Sequence, residues 1–466
     1  MSTTVSKTKA AKKLPIIGVS TLGCPKNLVD TENMIGILHG AGYPITADHT
    51  KADFSLVNTC TFIEGSTNES IDVLTELADQ GQKLIITGCM AQRFKGDLFD
   101  ELPEAQAVVG TGNVQDILEV VKELTRNMNE GRDSKIIKVD EVPLAVANAN
   151  TPRIHTQVGP SVYLKIAEGC DHRCAFCIIP YLRGDMKSRT IEDIVQEAKN
   201  LVKSGAKEIV LVSQDSTAYG TDIYKRRALA DLLAAVADES GVQWLRVMYA
   251  YPTEMDQGML EVIKSRENIC SYIDIPLQHA SAKLLKSMRR PLTVRDTTEL
   301  IKAEIPDVCM RTTFIVGFPG ETDEDFQELY DFIKDTRFDR VGVFTYSQED
   351  GTPAGTFEEQ VPEKIKKARR DKLMLLQQQI SLEKNQEHIG SKMEVLLEHI
   401  EENTSVIASG AKQSFRLVAR SFRDAPEIDG QVYIDLKADD ITPAPGSFIQ
   451  VTITACDEYD LFAKLV

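Results

Sequence analysis

Cys170, Cys174 and Cys177 stand in the run EGCDHRCAFCIIP, a C-x3-C-x2-C spacing with Phe176 immediately before the last cysteine. Three thiolates on one short loop can hold three corners of a four-iron cubane cluster, because cysteine thiolate is the usual ligand of such clusters. The fourth iron then has no protein ligand and is open to a small molecule. A structural zinc site needs four ligands and favours paired C-x2-4-C spacings, so it fits this run less well. A catalytic zinc would usually draw on histidine or carboxylate. His172, between Cys170 and Cys174, is awkwardly placed to share such a site. Three core cysteines gathered by chance is the remaining reading.

A second set of thiols is scattered. The apolar runs PIIGVS (15–20), FSLVN (54–58) and KLIITG (83–88) are each followed within four residues by a cysteine: Cys24, Cys60 and Cys89. Short apolar runs alternating with helical patterns predict a parallel α/β sheet over residues 15–126. In such sheets the loops beyond the carboxyl ends of the strands converge on one edge, where ligands bind. The three cysteines would then meet as another three-ligand cluster site. Three unrelated buried cysteines is the alternative, since free cysteine is commonly buried.

The elements that must position the C-x3-C-x2-C loop lie further on. Residues 127–155 read as a linker with at most one strand. Residues 156–386 open with VYLKIA (162–167), which delivers the loop, and continue with IVLVSQ (209–214), WLRVMYA (244–250), SYIDIPL (271–277), RTTFIVG (311–317) and VGVFTYS (341–347). Six strands with intervening helices predict a partial (β/α) barrel, whose chemistry sits at the carboxyl ends of its strands. Residues 361–388 read as a long charged helix with a solvated basic face. Residues 389–466 carry short strand runs and predict a small antiparallel β-barrel, a shape often used on oligonucleotides. That segment holds seven Lys and Arg against 13 Asp and Glu, a net of −6, which suits phosphate poorly.

Composition sets the remaining bounds. A chain of 466 residues implies about three domains, and 42% hydrophobic with 26% charged residues is ordinary for a soluble globular protein. No run approaches the length of a membrane span. The first 13 residues carry four lysines, no acid and no apolar stretch, so residues 1–14 read as a disordered tail and not a secretory signal. Nine cysteines without such a signal point to the reducing cytoplasm and to metal chemistry. A net charge of −17 tilts the expected partner from nucleic acid to a basic protein.

The ordered chain resembles the methylthiotransferases of the radical S-adenosylmethionine (SAM) superfamily. These have an amino-terminal three-cysteine domain, a radical SAM barrel and a terminal TRAM barrel. STLGCPKNLVDTE (20–32) and ARSFRDAPEIDG (419–430) resemble the ribosomal-protein branch; the transfer-RNA branch tends to have GCQMN at the first place. The resemblance implies methylthiolation of the β-carbon of one aspartate in small-subunit ribosomal protein twelve. A transfer-RNA methylthiotransferase acting on a modified adenosine is the alternative.

The resemblance also implies roles. Cys170, Cys174 and Cys177 would hold the [4Fe-4S] cluster that binds SAM and cleaves it to a 5′-deoxyadenosyl radical. Cys24, Cys60 and Cys89 would hold a second [4Fe-4S] cluster that carries sulfur. Two SAM molecules would be consumed, with a sulfur donor and an electron donor such as flavodoxin or ferredoxin. Phe176, Ser213, Gln214 and Gly317 would contact SAM, with Gly320 allowing close approach. The runs 276–279 and 287–291 would line the barrel mouth, with Arg289 or Arg290 pairing with a carboxylate. Phe176 could equally be a core aromatic, the glycines could only turn the chain, and the arginines could form surface pairs. Cys270, Cys309 and Cys456 read as core residues. Asp424, Glu427 and Asp429 read as part of an acidic surface that attracts a basic protein.

Overall fold

The computed structural model describes residues 14–133, 135–142, 146–157, 159–402, 415–436 and 442–466. These fall into two units, one ending at Ala147 and taking in Thr151–Ile154, the other formed by Asn148–Asn150 and His155–Val466. Apart from Leu14, the tail expected over residues 1–14 lies outside the described residues.

The first unit is built on a parallel sheet of six strands: β1 (Ile17–Thr21), β2 (Ile45–Thr46), β3 (Phe54–Thr59), β4 (Leu84–Gly88), β5 (Ala105–Val109) and β6 (Ile136–Lys138). Their order is β2-β1-β3-β4-β5-β6. Every residue of β3, β4 and β5 is buried, the signature of strands covered on both faces. Register pairs Thr21 with Asn58 and Thr59 with Gly88, so β1, β3 and β4 end side by side. Helix Ile117–Glu130 and strand β6 put structure into the stretch expected as a linker. Within the same unit, buried Arg153 pairs with buried Glu32 at 2.7 Å.

The second unit contains the six expected barrel strands: β7 (Ser161–Lys165), then, after the short paired strands β8 (Ala167–Glu168) and β9 (Lys187–Ser188), β10 (Glu208–Val212), β11 (Trp244–Val247), β12 (Tyr272–Asp274), β13 (Cys309–Val316) and β14 (Arg340–Thr345). They form two three-stranded parallel sheets, β11-β10-β7 and β12-β13-β14, joined through a parallel bridge between Leu245 and Ile269. The result is a partial barrel.

A closed barrel of five strands follows: β15 (Lys392–Glu402), β16 (Phe415–Ser421), β17 (Val432–Asp435), β18 (Phe448–Cys456) and β19 (Leu461–Leu465). It is not wholly antiparallel as expected, because β17 pairs with β19 in parallel. The short run LFAKL supplies the closing strand that the sequence pattern did not reveal.

The small barrel is fastened to the amino-terminal ends of the large barrel's strands by buried charge. Glu208, at the start of β10, accepts from Arg246 at 2.8 Å and from Arg420 of β16 at 2.5 Å, with all three side chains 0–1% exposed. Arg340 pairs with Asp424 at 2.7 Å, and the Tyr272 hydroxyl donates to Asp429 at 2.7 Å. The Cys309 thiol donates to the Arg423 carbonyl at 3.1 Å. Burial alone would push the Glu208 carboxyl up, but Arg420 and Arg246 outweigh it and hold it at about 2.

Two expectations are corrected here. Asp424 and Asp429 do not face a partner: Asp424 is buried, half-buried Asp429 turns its carboxylate in to Tyr272 and Arg311, and of the three acids only Glu427 is exposed. The basic run of the long helix, Glu363–Gln386, is solvated only in part: Lys364, Lys367 and Lys372 are exposed, but two of its cations turn inward. Lys366 is buried and donates to the Tyr346 carbonyl, while buried Arg369 pairs with Glu321 and Asp323.

Candidate metal centres

In the first unit, topology delivers three thiols to one sheet edge. Cys24 caps helix Pro25–Gly40, whose amino end favours negative charge, and Cys60 and Cys89 follow β3 and β4 directly. Asn27 clasps the strand ends, donating to the Leu22 and Thr59 carbonyls at 3.0 Å each. Asn58 donates to the Asn27 carbonyl at 2.8 Å. Two glycines make the approach possible. Gly23 has φ +85°, and a Cβ there would lie 2.6 Å from Cys60 Cβ and 2.9 Å from its Sγ. Gly88 has φ +92°, and a Cβ there would lie 2.2 Å from Asn58 Oδ1. Only glycine fits either place.

In the second unit the C-x3-C-x2-C loop leaves the carboxyl end of the first barrel strand. Backbone bonds hold it on several sides. The Cys170 amide donates to the Gly184 carbonyl at 3.1 Å, the Cys177 amide to Cys174 at 3.1 Å, and the Ala175 amide to Met288 at 2.9 Å. Burial pushes the Cys170 and Cys177 thiols up to about 12. Buried thiols of this kind stay protonated on their own, and a coordinated metal deprotonates them outright. None of the nine cysteines is joined in a disulfide.

Among the described residues, no three His, Cys, Asp or Glu side chains are gathered for a single ion. A four-iron cluster places its thiolates on separate irons, farther apart than the ligands of one ion, and all-cysteine donors are its usual set. Each triad fits such a cluster better than it fits zinc.

The other expected residues separate. Phe176 packs at the loop with Ala175, Met288, Phe318 and Ala354. Gln214 donates to Glu168, two residues before Cys170, and Glu168 also receives Lys165 at 2.7 Å and Arg183 at 2.9 Å. Burial opposes the Glu168 charge, but Arg183 and Lys165 hold its carboxyl well below the usual range. Ser213 is fully buried and its hydroxyl meets that of Ser216 at 3.1 Å. Gly317 has φ +74°, and the place of its missing Cβ is taken by Lys366, whose Cγ would lie 2.2 Å away. Its small size therefore seats the long helix. Gly320 has φ +79° beside Glu359. Arg289 is exposed, whereas Arg290 turns inward to Cys174 Sγ at 3.8 Å. Cys270 and Cys309 are buried, and Cys456 is half-buried.

Sequence reasoning missed Tyr251, Asp215 and the Lys165–Glu168–Arg183 group. His172 meets Asp215 at 2.7 Å and stacks on Tyr251 with ring centroids 3.6 Å apart. Nothing in the run MYAYP sets Tyr251 apart. The signal for Glu168 was its place directly before Gly169-Cys170.

Comparison with known proteins gives three segments. Residues 17–110 match the uncharacterised protein family UPF0004, residues 164–333 the radical SAM superfamily, and residues 389–466 the TRAM domain. The chain is 46% identical over 455 residues to ribosomal protein uS12 methylthiotransferase RimO of Trichormus variabilis, covering 97% of this chain and 98% of that one. The RimO protein of Microcystis aeruginosa is also 46% identical, covering 97% and 99%. Among solved structures, the radical SAM methyltransferase TsrM from Kitasatospora setae, with cobalamin and a [4Fe-4S] cluster bound, is similar at a TM-score of 0.53. That match covers 84% of this chain and 80% of TsrM at 13% identity, a likeness of fold alone.

Proposed function

Because the chain belongs to the RimO family of radical SAM methylthiotransferases, we propose that it transfers a methylthio group to ribosomal protein uS12, at the β-carbon of one aspartate. The observation that carries this reading is the match to these relatives over 97% of the chain.

Cys170, Cys174 and Cys177 would hold one [4Fe-4S] cluster, and Cys24, Cys60 and Cys89 the other. When bound, the clusters and SAM supply one-electron cleavage to a 5′-deoxyadenosyl radical, sulfur for insertion and a methyl group. An aspartate β-hydrogen is too weakly acidic for a side-chain base near neutral pH, so no titratable residue is assigned its removal. The chain's own groups prepare the mouth. Phe176, Phe318 and Met288 exclude water from the loop. Lys165 and Arg183 fix Glu168, and Glu168 fixes Gln214 at the rim. The substrate would be met on the small ribosomal subunit in the cytoplasm, with electrons from a flavodoxin or ferredoxin.

The test offers the anaerobically reconstituted enzyme, in separate reactions, small subunits and transfer RNA carrying a modified adenosine. A mass gain of one methylthio group on uS12 is expected. The same group on the RNA and none on the protein would reverse the substrate assignment.

A further inference from the structure

Among the described residues, Arg290 stands apart from the other inward-facing cations of this unit because no carboxylate cancels its charge. Lys165 and Arg183 share Glu168, and Arg246 and Arg420 share Glu208. Among the described residues no carboxylate pairs with Arg290, and its buried Nε has no partner. Its Nη1 lies 3.8 Å from Cys174 Sγ, and its Nη2 donates to the Pro276 carbonyl.

The guanidinium is held there by a stack. Arg290 lies over the Tyr251 ring at 4.1 Å, and the His172 ring stacks on Tyr251 with centroids 3.6 Å apart and planes 7° apart. Asp215 fixes His172 at 2.7 Å, and is itself fixed by the Thr217 amide at 3.0 Å, the Thr217 hydroxyl at 2.7 Å and the Ala218 amide at 3.2 Å. A free arginine would lose rotamer freedom on taking up such a pose; the stack pre-orders it.

We propose that Arg290, ordered by the Tyr251–His172–Asp215 stack, is a positioning residue that sets the reduction potential of the cluster on Cys170, Cys174 and Cys177. The proposal rests on that ligand assignment. One-electron reduction adds a negative charge to the cluster, and a fixed cation donating to a ligand sulfur favours the reduced form, the more so where water is excluded. Arginine stays charged at every working pH, so the effect is permanent and not a switch.

The test uses the full chain with Cys24, Cys60 and Cys89 changed to alanine, leaving one cluster whose iron is counted and whose potential is titrated by electron paramagnetic resonance. Arg290→Gln is expected to lower the reduced-to-oxidised ratio at a fixed potential about tenfold, a shift of ~59 mV to more negative values for a one-electron couple. Tyr251→Leu, which spares the charge but removes the stack, should shift the same way by less, and Arg290→Lys should fall between wild type and Arg290→Gln. If Arg290→Gln loads less iron, the other two variants carry the comparison. Full iron with unchanged potentials in the variants overturns this proposal alone. A background protein that takes up no iron overturns the ligand assignment, and the proposal with it.

Discussion

The two cysteine triads reach the same donor count by opposite routes. Cys170, Cys174 and Cys177 are gathered by eight contiguous residues, held by backbone bonds to Gly184 and Met288. Cys24, Cys60 and Cys89 are gathered by three neighbouring strand ends, and depend on sheet register, the Asn27 and Asn58 clasps and two left-handed glycines. A triad written into one loop needs local order. One assembled by topology needs the whole sheet, so its failure modes lie at residues that are not ligands.

The largest expected difference between the triads is chemical. Changing Cys170, Cys174 and Cys177 to alanine should abolish 5′-deoxyadenosine, measured chromatographically after reduction with SAM. Changing Cys24, Cys60 and Cys89 should leave 5′-deoxyadenosine and remove methylthio transfer. Deoxyadenosine from the first variant would break the division of roles.

Next in size is the anchoring of the second unit. Glu208→Gln leaves Arg246 and Arg420 without their shared carboxylate, and breaking a buried pair costs about 3–5 kcal/mol. Chemical denaturation should show that loss. Removing Ile389–Val466 opens the same interface and several others, so that truncation should lose SAM cleavage through unfolding, followed by circular dichroism. A folded, SAM-cleaving truncation would show that the small barrel is an independent appendage.

A smaller effect distinguishes topological assembly from local assembly. Gly88→Ala places a Cβ against Asn58 Oδ1 and the Thr59 carbonyl, and should cost about 1–3 kcal/mol and lower iron on the first triad. Gly131→Ala has φ +65° but nothing within 4 Å, and should leave iron unchanged. Equal iron in the two variants would remove the role given to the strand-end glycine.

The smallest effect is on pH. Glu208 is held at about 2 against an ordinary 4.5, a depressed carboxyl. Its stabilisation is present above about 4.5 and is lost as pH falls towards about 2. The Tm of the wild type should therefore fall more steeply than that of Glu208→Gln across that window.

What was legible follows the same contrast. The place of the cysteine loop after the first barrel strand and all six barrel strands could be read, because spacing and apolar runs are local signals. The Glu208–Arg420 pair joins residues 212 apart, and the partner-facing role given to Asp424 and Asp429 failed for that reason. The long helix buries Lys366, Arg369, Gln377, Ser381 and Asn385 beside only two apolar residues, Leu373 and Ile380, so its packed face carries too thin an apolar stripe to recognise. The closing strand Leu461–Leu465 is too short, and its Lys464 too polar, to stand out.

Iron analysis and Mössbauer spectroscopy of the anaerobically reconstituted protein address the two-triad account most directly. Wild type should carry two four-iron clusters, and each triple-alanine variant one, with half the iron. Full iron retained by either variant would contradict the assignment of that triad.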